Sequence, residues 1–214
     1  VRDYVFNDMN NQQSFKFHAG SIASQTEIWW YYCSSGSTEI DRYVVYNYGQ
    51  QVWYYGTLVR TAWNDRASGL RSFPQGTGTD FYLYDHENGL DDYSTGSAAA
   101  INAFVESSDF DIGDGQQFML VNRILPDLSF NGSTASNPAA LFTVKSRDFG
   151  GDNFTESPSG SATRTATSPV EQYTDKIDLR ARGRQMAIRV ENTATGVKWR
   201  LGAPRLDARA DGRR

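Results

Sequence analysis

The sequence predicts an all-β chain: partial β-propeller-like blades over residues 1–97, followed by a β-sandwich-like domain over 98–214. Three observations carry this. Aromatics are 14% of the chain beside 19 Gly and only 6 Pro, a composition of strands separated by frequent turns. Apolar runs of strand length recur between clusters of Gly, Asn and Ser. An aromatic followed by Asn or Asp at a turn repeats in "VFND" (5–8), "VYNY" (45–48) and "LYDH" (83–86), which spaces Phe6, Tyr46 and Tyr84 by 40 and 38 residues. Four-stranded propeller blades recur every 40–50 residues or so. An ordinary sandwich with three similar strands is the other reading of this pattern.

The elements follow in order. "VRDYVFND" at residues 1–8 reads as a strand; with Val1 in first place, the chain is read as a fragment of a longer polypeptide or a cleavage product. "EIWWYYCS" at 27–34 is a near-continuous apolar run, which predicts a strand buried on both faces. Residues 42–48 and 51–58 flank Gly49-Gln50 as a hairpin. Trp29, Trp30, Tyr46, Trp53 and Trp63 are then expected to pack blade against blade, and "YDHENGLDDY" (84–93) to close a blade in a Gly- and Asn-rich turn. A propeller needs at least about four blades to close. Residues 1–95 supply about two, so the ring would be completed by preceding sequence or by another chain.

From Ser97 the composition changes. Strands are expected at 103–107, 116–124 and 140–149, a polar mobile loop at 150–169, and three closing strands at 176–182, 185–191 and 197–201. Strand alternation sends Ile177, Leu179 and Ala181 to one face and Asp178, Arg180 and Arg182 to the other. Consecutive pairing of the three strands would gather Arg180, Arg182, Arg189, Lys198 and Arg200 on one face, with Arg205, Arg209, Arg213 and Arg214 in an extended tail.

Charge is partitioned along the chain. Residues 176–214 hold eleven Lys or Arg against four Asp or Glu, whereas residues 1–175 hold ten against twenty-one. The Arg-rich end, 180–209 above all, is expected to contact neighbouring subunits or phosphate, since Arg pairs bidentately with carboxylate and phosphate. Solvation beside Asp178, Glu191 and Asp207 is the plainer alternative.

Several chemistries find no support. Only His18 and His86 are present, with no H-x-H or C-x-x-C spacing for zinc. The single Cys33 sits inside an apolar run, where its thiolate is disfavoured; a lone thiol fits a reducing compartment or a particle assembled in one. "DFDIGDG" (109–115) fails the EF-hand pattern, with Gly113 and Asp114 at ligand positions 5 and 6 and Leu120 at position 12. No G-x-S-x-G is present. A paired-carboxylate glycosidase could draw on Asp85, Glu87, Asp91 and Asp92, and aromatic-rich β domains also bind sugars. Asn131 and Asn153 head acceptor sequons without a secretory leader. No apolar run approaches the ~18 residues that span a bilayer. The expectation is therefore no catalytic residue, no metal, no cofactor and no membrane insertion.

Two segments carry a resemblance: "EIWWYYCSSGSTEIDRYVVYNYGQQVWYYGTLVRTAWND" (27–65) and "DLRARGRQMAIRVENTATGVKWRLGAPRLDARADGRR" (178–214). Together they resemble the C-terminal part of the nozzle proteins of short-tailed bacteriophages, also called tail tubular protein B or packaged-DNA stabilisation proteins. The similarity covers most of the chain, and the ending is its most specific part. It implies a structural virion protein assembled in the host cytoplasm, a homo-oligomeric ring usually of six subunits around the DNA channel of the tail, and retention and later passage of the genome. It also implies neighbouring tail adaptor and tail fibre or spike proteins, non-specific contact with double-stranded DNA, and no catalytic residue. Family members are considerably longer than 214 residues, so blade number and attachment surface stay open. A receptor- or glycan-binding virion module is the alternative, with a carbohydrate-cleaving enzyme after it.

Overall fold

The computed structural model describes residues 1–65, 73–152, 154 and 165–213. The fold is all-β, built from several antiparallel sheets, none of them closed into a barrel. The chain divides into two compact units, Val1–Gly89 and Leu90–Arg214. The sequence boundary was drawn at 97/98; Asp92 and Ala99 exchange backbone hydrogen bonds within the second unit.

The first unit opens with a helix, α1 (Arg2–Asp8), where a strand was expected. The period explains the correction. Val1, Tyr4 and Val5, and likewise Arg2, Val5, Phe6 and Met9, follow i, i+3, i+4 spacing rather than alternation. Phe6 therefore drops out of the aromatic–Asn/Asp series, and only Tyr46 and Tyr84 of the three lie in strands. Strands β1 (His18–Ile22), β2 (Glu27–Tyr32), β3 (Arg42–Asn47) and β4 (Val52–Thr57) form an antiparallel meander in chain order. The expected hairpin is β3–β4, with Asn47 opposite Val52 and Gln51 held at φ 58° in the connection. A second meander joins β5 (Ala62–Asn64), β6 (Gln75–Thr77) and β7 (Leu83–Asp85).

The two meanders meet through aromatics. Trp63 of β5 lies over Gly20 of β1, where any Cβ would collide with its indole. Its ring also stacks near Trp29 and Tyr31, at centroid distances of 6.3 and 5.5 Å. Asp65 fixes this contact: it accepts from the Ser21 amide (2.6 Å), the Ser21 hydroxyl (2.8 Å) and the Trp63 indole N–H (2.8 Å). Tyr31, Cys33 and Ile40 are fully buried beneath.

The second unit is a sandwich. One sheet runs in the order β14 (Ile177–Gly183), β10 (Met119–Leu125), β17 (Arg205–Ala210). The other runs β13 (Thr165–Glu171), β12 (Ala139–Arg147), β15 (Gln185–Asn192), β8 (Ala103–Glu106), with β9 (Phe110–Asp111) also on β15. Met119, Val121, Ile124, Ile177 and Ala181 of the first sheet share one core with Ala140, Phe142, Val144, Met186 and Val190 of the second. A short pair, β11 (Leu128–Ser129) and β16 (Arg200–Leu201), adds Leu128 and Leu201 at the margin.

Three expectations are corrected in this unit. Strands β14 and β15 do not pair with each other; they belong to opposite sheets. Arg184 alone joins them, shorter than a two-residue hairpin, and Gly183 crosses so close to the other sheet that a Cβ would meet the Arg147 carbonyl oxygen at 2.9 Å. Residues 165–169, expected in a mobile loop, belong to β13, an edge strand that tolerates Pro169. The rest of that loop, 153 and 155–164, lies outside the described residues. The expected tail at Arg205–Ala210 is a strand hydrogen-bonded to β10.

Candidate functional site

Two surfaces collect the residues singled out in the sequence, one in each unit. In the first unit, alternation along the β1–β4 meander divides the aromatics between its faces. Trp29, Tyr31, Tyr43 and Tyr54 point toward Trp63 and the second meander. Trp30, Tyr46, Trp53 and Tyr55 point the other way, where the strand was expected to be covered. They are not: Trp30 is 36%, Trp53 51% and Tyr55 45% exposed. The rings stack across strands, Tyr46 on Trp53 at 4.6 Å and Trp53 on Trp30 at 5.7 Å, with interplanar angles of 29° and 24°.

Helix α1 stands over this face without sealing it. Tyr4 stacks on Tyr55 at 3.8 Å, and Asp8 holds Arg42 at 3.4 Å and the Ser35 hydroxyl at 3.1 Å. Yet no residue of α1 is buried, and Phe6 is 63% exposed. Between helix and sheet runs an apolar groove of about 930 Å³ lined by Val5, Phe6, Met9, Trp30, Val44 and Trp53.

The ionisable groups of the first unit are structural in character. Burial pushes the Tyr32 hydroxyl up to about 12 and the Cys33 thiol above its usual value. Burial, and then the Arg60 charge, hold His86 down at about 4; Arg60 Nε donates to its Nε2 at 2.7 Å, which places the ring proton on Nδ1. Burial and the nearby Glu27 raise Glu87. Asp85 accepts from Gln75 at 2.7 Å, Asp91 from the Gly196 amide at 2.7 Å, and Asp92 closes a turn on the Ser94 amide at 2.8 Å. These carboxylates are engaged locally. The "DFDIGDG" segment contributes β9 and a turn at positive φ on Gly113, Asp114 and Gly115. Among the described residues no group of His, Cys, Asp and Glu is arranged to hold a metal.

In the second unit the expected cluster of cations splits between sheets. Arg189 lies on β15 and is consumed internally. It reaches Glu106 at 3.1 Å and Glu191 at 2.8 Å, and covers the Phe104 ring at 3.9 Å. Lys145 joins it on Glu106 at 2.8 Å. Burial raises Glu106, but the hydrogen bonds from Lys145 and Arg189 outweigh this and hold the carboxyl below its ordinary range. Lys198 and Arg200 sit near and on the small β11–β16 pair, both exposed.

The remaining arginines share the outer face of the β14–β10–β17 sheet. Leu120 has Arg182 opposite it on one side and Arg209 on the other. Arg180 stands two residues along β14; Arg205 lies opposite Leu125. Arg182 is anchored: its guanidinium binds Asp211 at 2.6 Å and lies 4.0 Å over Phe118, which Arg184 approaches at 4.7 Å. Arg123, which sequence reasoning missed, joins this face on Asp178 at 3.1 Å, and Asp178 also takes Lys176 at 3.0 Å. Among the described residues Arg180, Arg205 and Arg209 have no carboxylate partner.

In comparisons with known proteins, no protein-family model and no curated protein matches the chain. The two surfaces therefore carry the functional reading. The aromatic face was legible as residue types but not as a face, because a register is needed to separate Trp29 from Trp30. Arg123 was hidden by a bulge between Val121 and Arg123 that breaks the alternation of β10.

Proposed function

We propose that this chain is a structural subunit of a bacteriophage tail nozzle, associating with further copies into a ring, usually of six, around the DNA channel. The observation that carries the reading is the uncovered aromatic face of the β1–β4 meander. Phe6, Trp30, Trp53 and Tyr55 leave roughly 400 Å² of aromatic surface in water. That is about half of the ~800 Å² one partner contributes to a standard interface. Aromatic residues dominate the energetics of such interfaces, and an isolated subunit gains nothing by exposing them. A four-stranded meander in chain order is also the strand arrangement of a propeller blade, whose faces pack on neighbours. The resemblance of residues 27–65 and 178–214 to nozzle proteins supplies the assembly. Nothing in this reading requires a catalytic residue, a cofactor or a metal.

Exposed aromatics are also what a glycan-binding module displays. Here the rings spend their faces on one another: centroid distances of 4.6 and 5.7 Å at low angles are stacking distances, so mostly edges remain outward. A sugar ring needs an open face, which favours protein packing.

The test is assembly. Electron microscopy and sedimentation of the chain should show rotationally symmetric rings with an axial channel. Trp30→Ser with Trp53→Ser should leave folded monomers at the same concentration. A wild-type chain that stays monomeric at high concentration, or rings that persist in the double variant, would remove the support this face gives. Saturable binding of a panel of host surface glycans, lost in the same variant, would favour the receptor-binding alternative.

A further inference from the structure

The outer face of the β14–β10–β17 sheet does not look like a subunit interface. Protein interfaces have an apolar, aromatic centre and a polar rim. Here Leu125, 42% exposed, is the large apolar side chain left in water, while Leu120 is 4% exposed between Arg182 and Arg209. The rest of the face is guanidinium and carboxylate: Arg123, Arg180, Arg182, Arg205 and Arg209 with Asp178, Asp207 and Asp211. Internal pairing uses Asp178 and Asp211, and leaves Arg180, Arg205 and Arg209 over.

We infer that this face binds the phosphate backbone of duplex DNA through Arg180, Arg205 and Arg209. The inference rests on the nozzle reading for where the duplex would be met, and on the geometry for the contact itself. Arg180 and Arg182 stand roughly 7 Å apart along β14; Arg182 and Arg209, two strands apart, are separated by about 10 Å; Arg205 and Arg209 are about 13 Å apart. A duplex carries one charge per ~1.7 Å of axis, so a stretch as long as β17 meets roughly eight phosphates. The three free guanidiniums therefore face a charge lattice denser than their own spacing, and each can find an oxygen without a fixed register. No base edge is needed, so binding is independent of sequence. Arg182 and Arg123, held by Asp211 and Asp178, stiffen the platform from which the free arginines reach.

The contact has a quantitative mark. Three phosphates neutralised give a salt slope of about −2.7, so affinity falls roughly 40-fold between 50 and 200 mM salt. Fluorescence anisotropy of a labelled 24-base-pair duplex with the full chain should show this slope at two unrelated sequences. Arg180→Ala, Arg205→Ala and Arg209→Ala together should remove nearly all of it; the three side chains are exposed, and circular dichroism checks that the fold persists. Arg189→Gln, on the opposite sheet, should leave the slope unchanged. Binding that is absent, or that keeps its slope in the triple variant, would overturn the inference. So would equal loss of binding to poly-glutamate, which would mark the face as a carboxylate site. Sedimentation of the same samples separates the two readings: rings that ignore DNA refute this inference alone, while monomers that bind DNA through these arginines refute the nozzle reading alone.

Discussion

His86 shows how one residue's surroundings set its chemistry. Its ring packs 4.6 Å from Trp63 and accepts a hydrogen bond from Arg60. An imidazolium there would lose that bond and face a guanidinium, so the folded state holds the ring neutral down to about pH 4, against an ordinary value of 6.5. The unfolded chain takes up its proton as pH falls through about 6.5 and the folded chain only near 4, so the first unit loses stability over that window as pH drops. Discounting for partial solvent exposure, the loss between pH 7 and 4.5 is about 1–2 kcal/mol. Thermal unfolding followed by tryptophan fluorescence should show it, and His86→Gln should flatten that part of the pH dependence. Parallel profiles for wild type and variant would mean that His86 does not titrate between the two states. The same surroundings argue against a catalytic histidine: neither ring nitrogen combines an accessible lone pair with a neighbouring acid.

At the scale of elements, the β3–β4 hairpin carries a correctable strain. Gln51 is exposed and sits at φ 58°, a left-handed conformation that glycine adopts at less cost. Gln51→Gly should stabilise the first unit by about 0.5–1 kcal/mol, somewhat offset by the freer unfolded chain. It would be seen as a higher urea midpoint with an unchanged slope; a lower midpoint would mean the Gln51 side chain makes a contact that matters more. The hairpin itself was legible because two alternating runs bracket Gly49. So were β2, β12, β14 and β15, whose apolar runs have strand length. Residues 1–8 were misread because an apolar triplet at Val1, Tyr4 and Val5 fits a helix as well as a short strand, and only tertiary context decides. The partner of each strand was least legible. The run 177–191 looks like a hairpin, and only the tight passage of Gly183 against Arg147 shows that it turns a corner between sheets. That one misassignment is what merged Arg189 with Arg180 and Arg182.

For the whole molecule, the two proposed contacts differ in kind and should separate by salt. Association through Trp30, Trp53 and Tyr55 removes apolar surface from water and is little screened, whereas the Arg180, Arg205 and Arg209 face acts through charge. Raising salt from 50 to 500 mM should leave assembly intact and weaken duplex binding roughly 500-fold. Loss of both together in sedimentation and anisotropy would mean that one surface serves both. The second unit also sets a schedule for its own making. Met119 of β10 hydrogen-bonds to the strand containing Ala210, and the pairing runs on to Leu125 opposite Arg205. A ribosome adding 5–20 residues per second needs on the order of 5–20 s to travel between those two strands. Throughout that interval the nascent β10 offers a bare edge of Met, Leu, Val and Ile, able to pair with the same strand emerging from the next ribosome on the message. Polysomes crowded with this chain are therefore where its aggregation would begin, and a chaperone that holds residues 119–125 until residue 210 has cleared the exit tunnel would raise its yield.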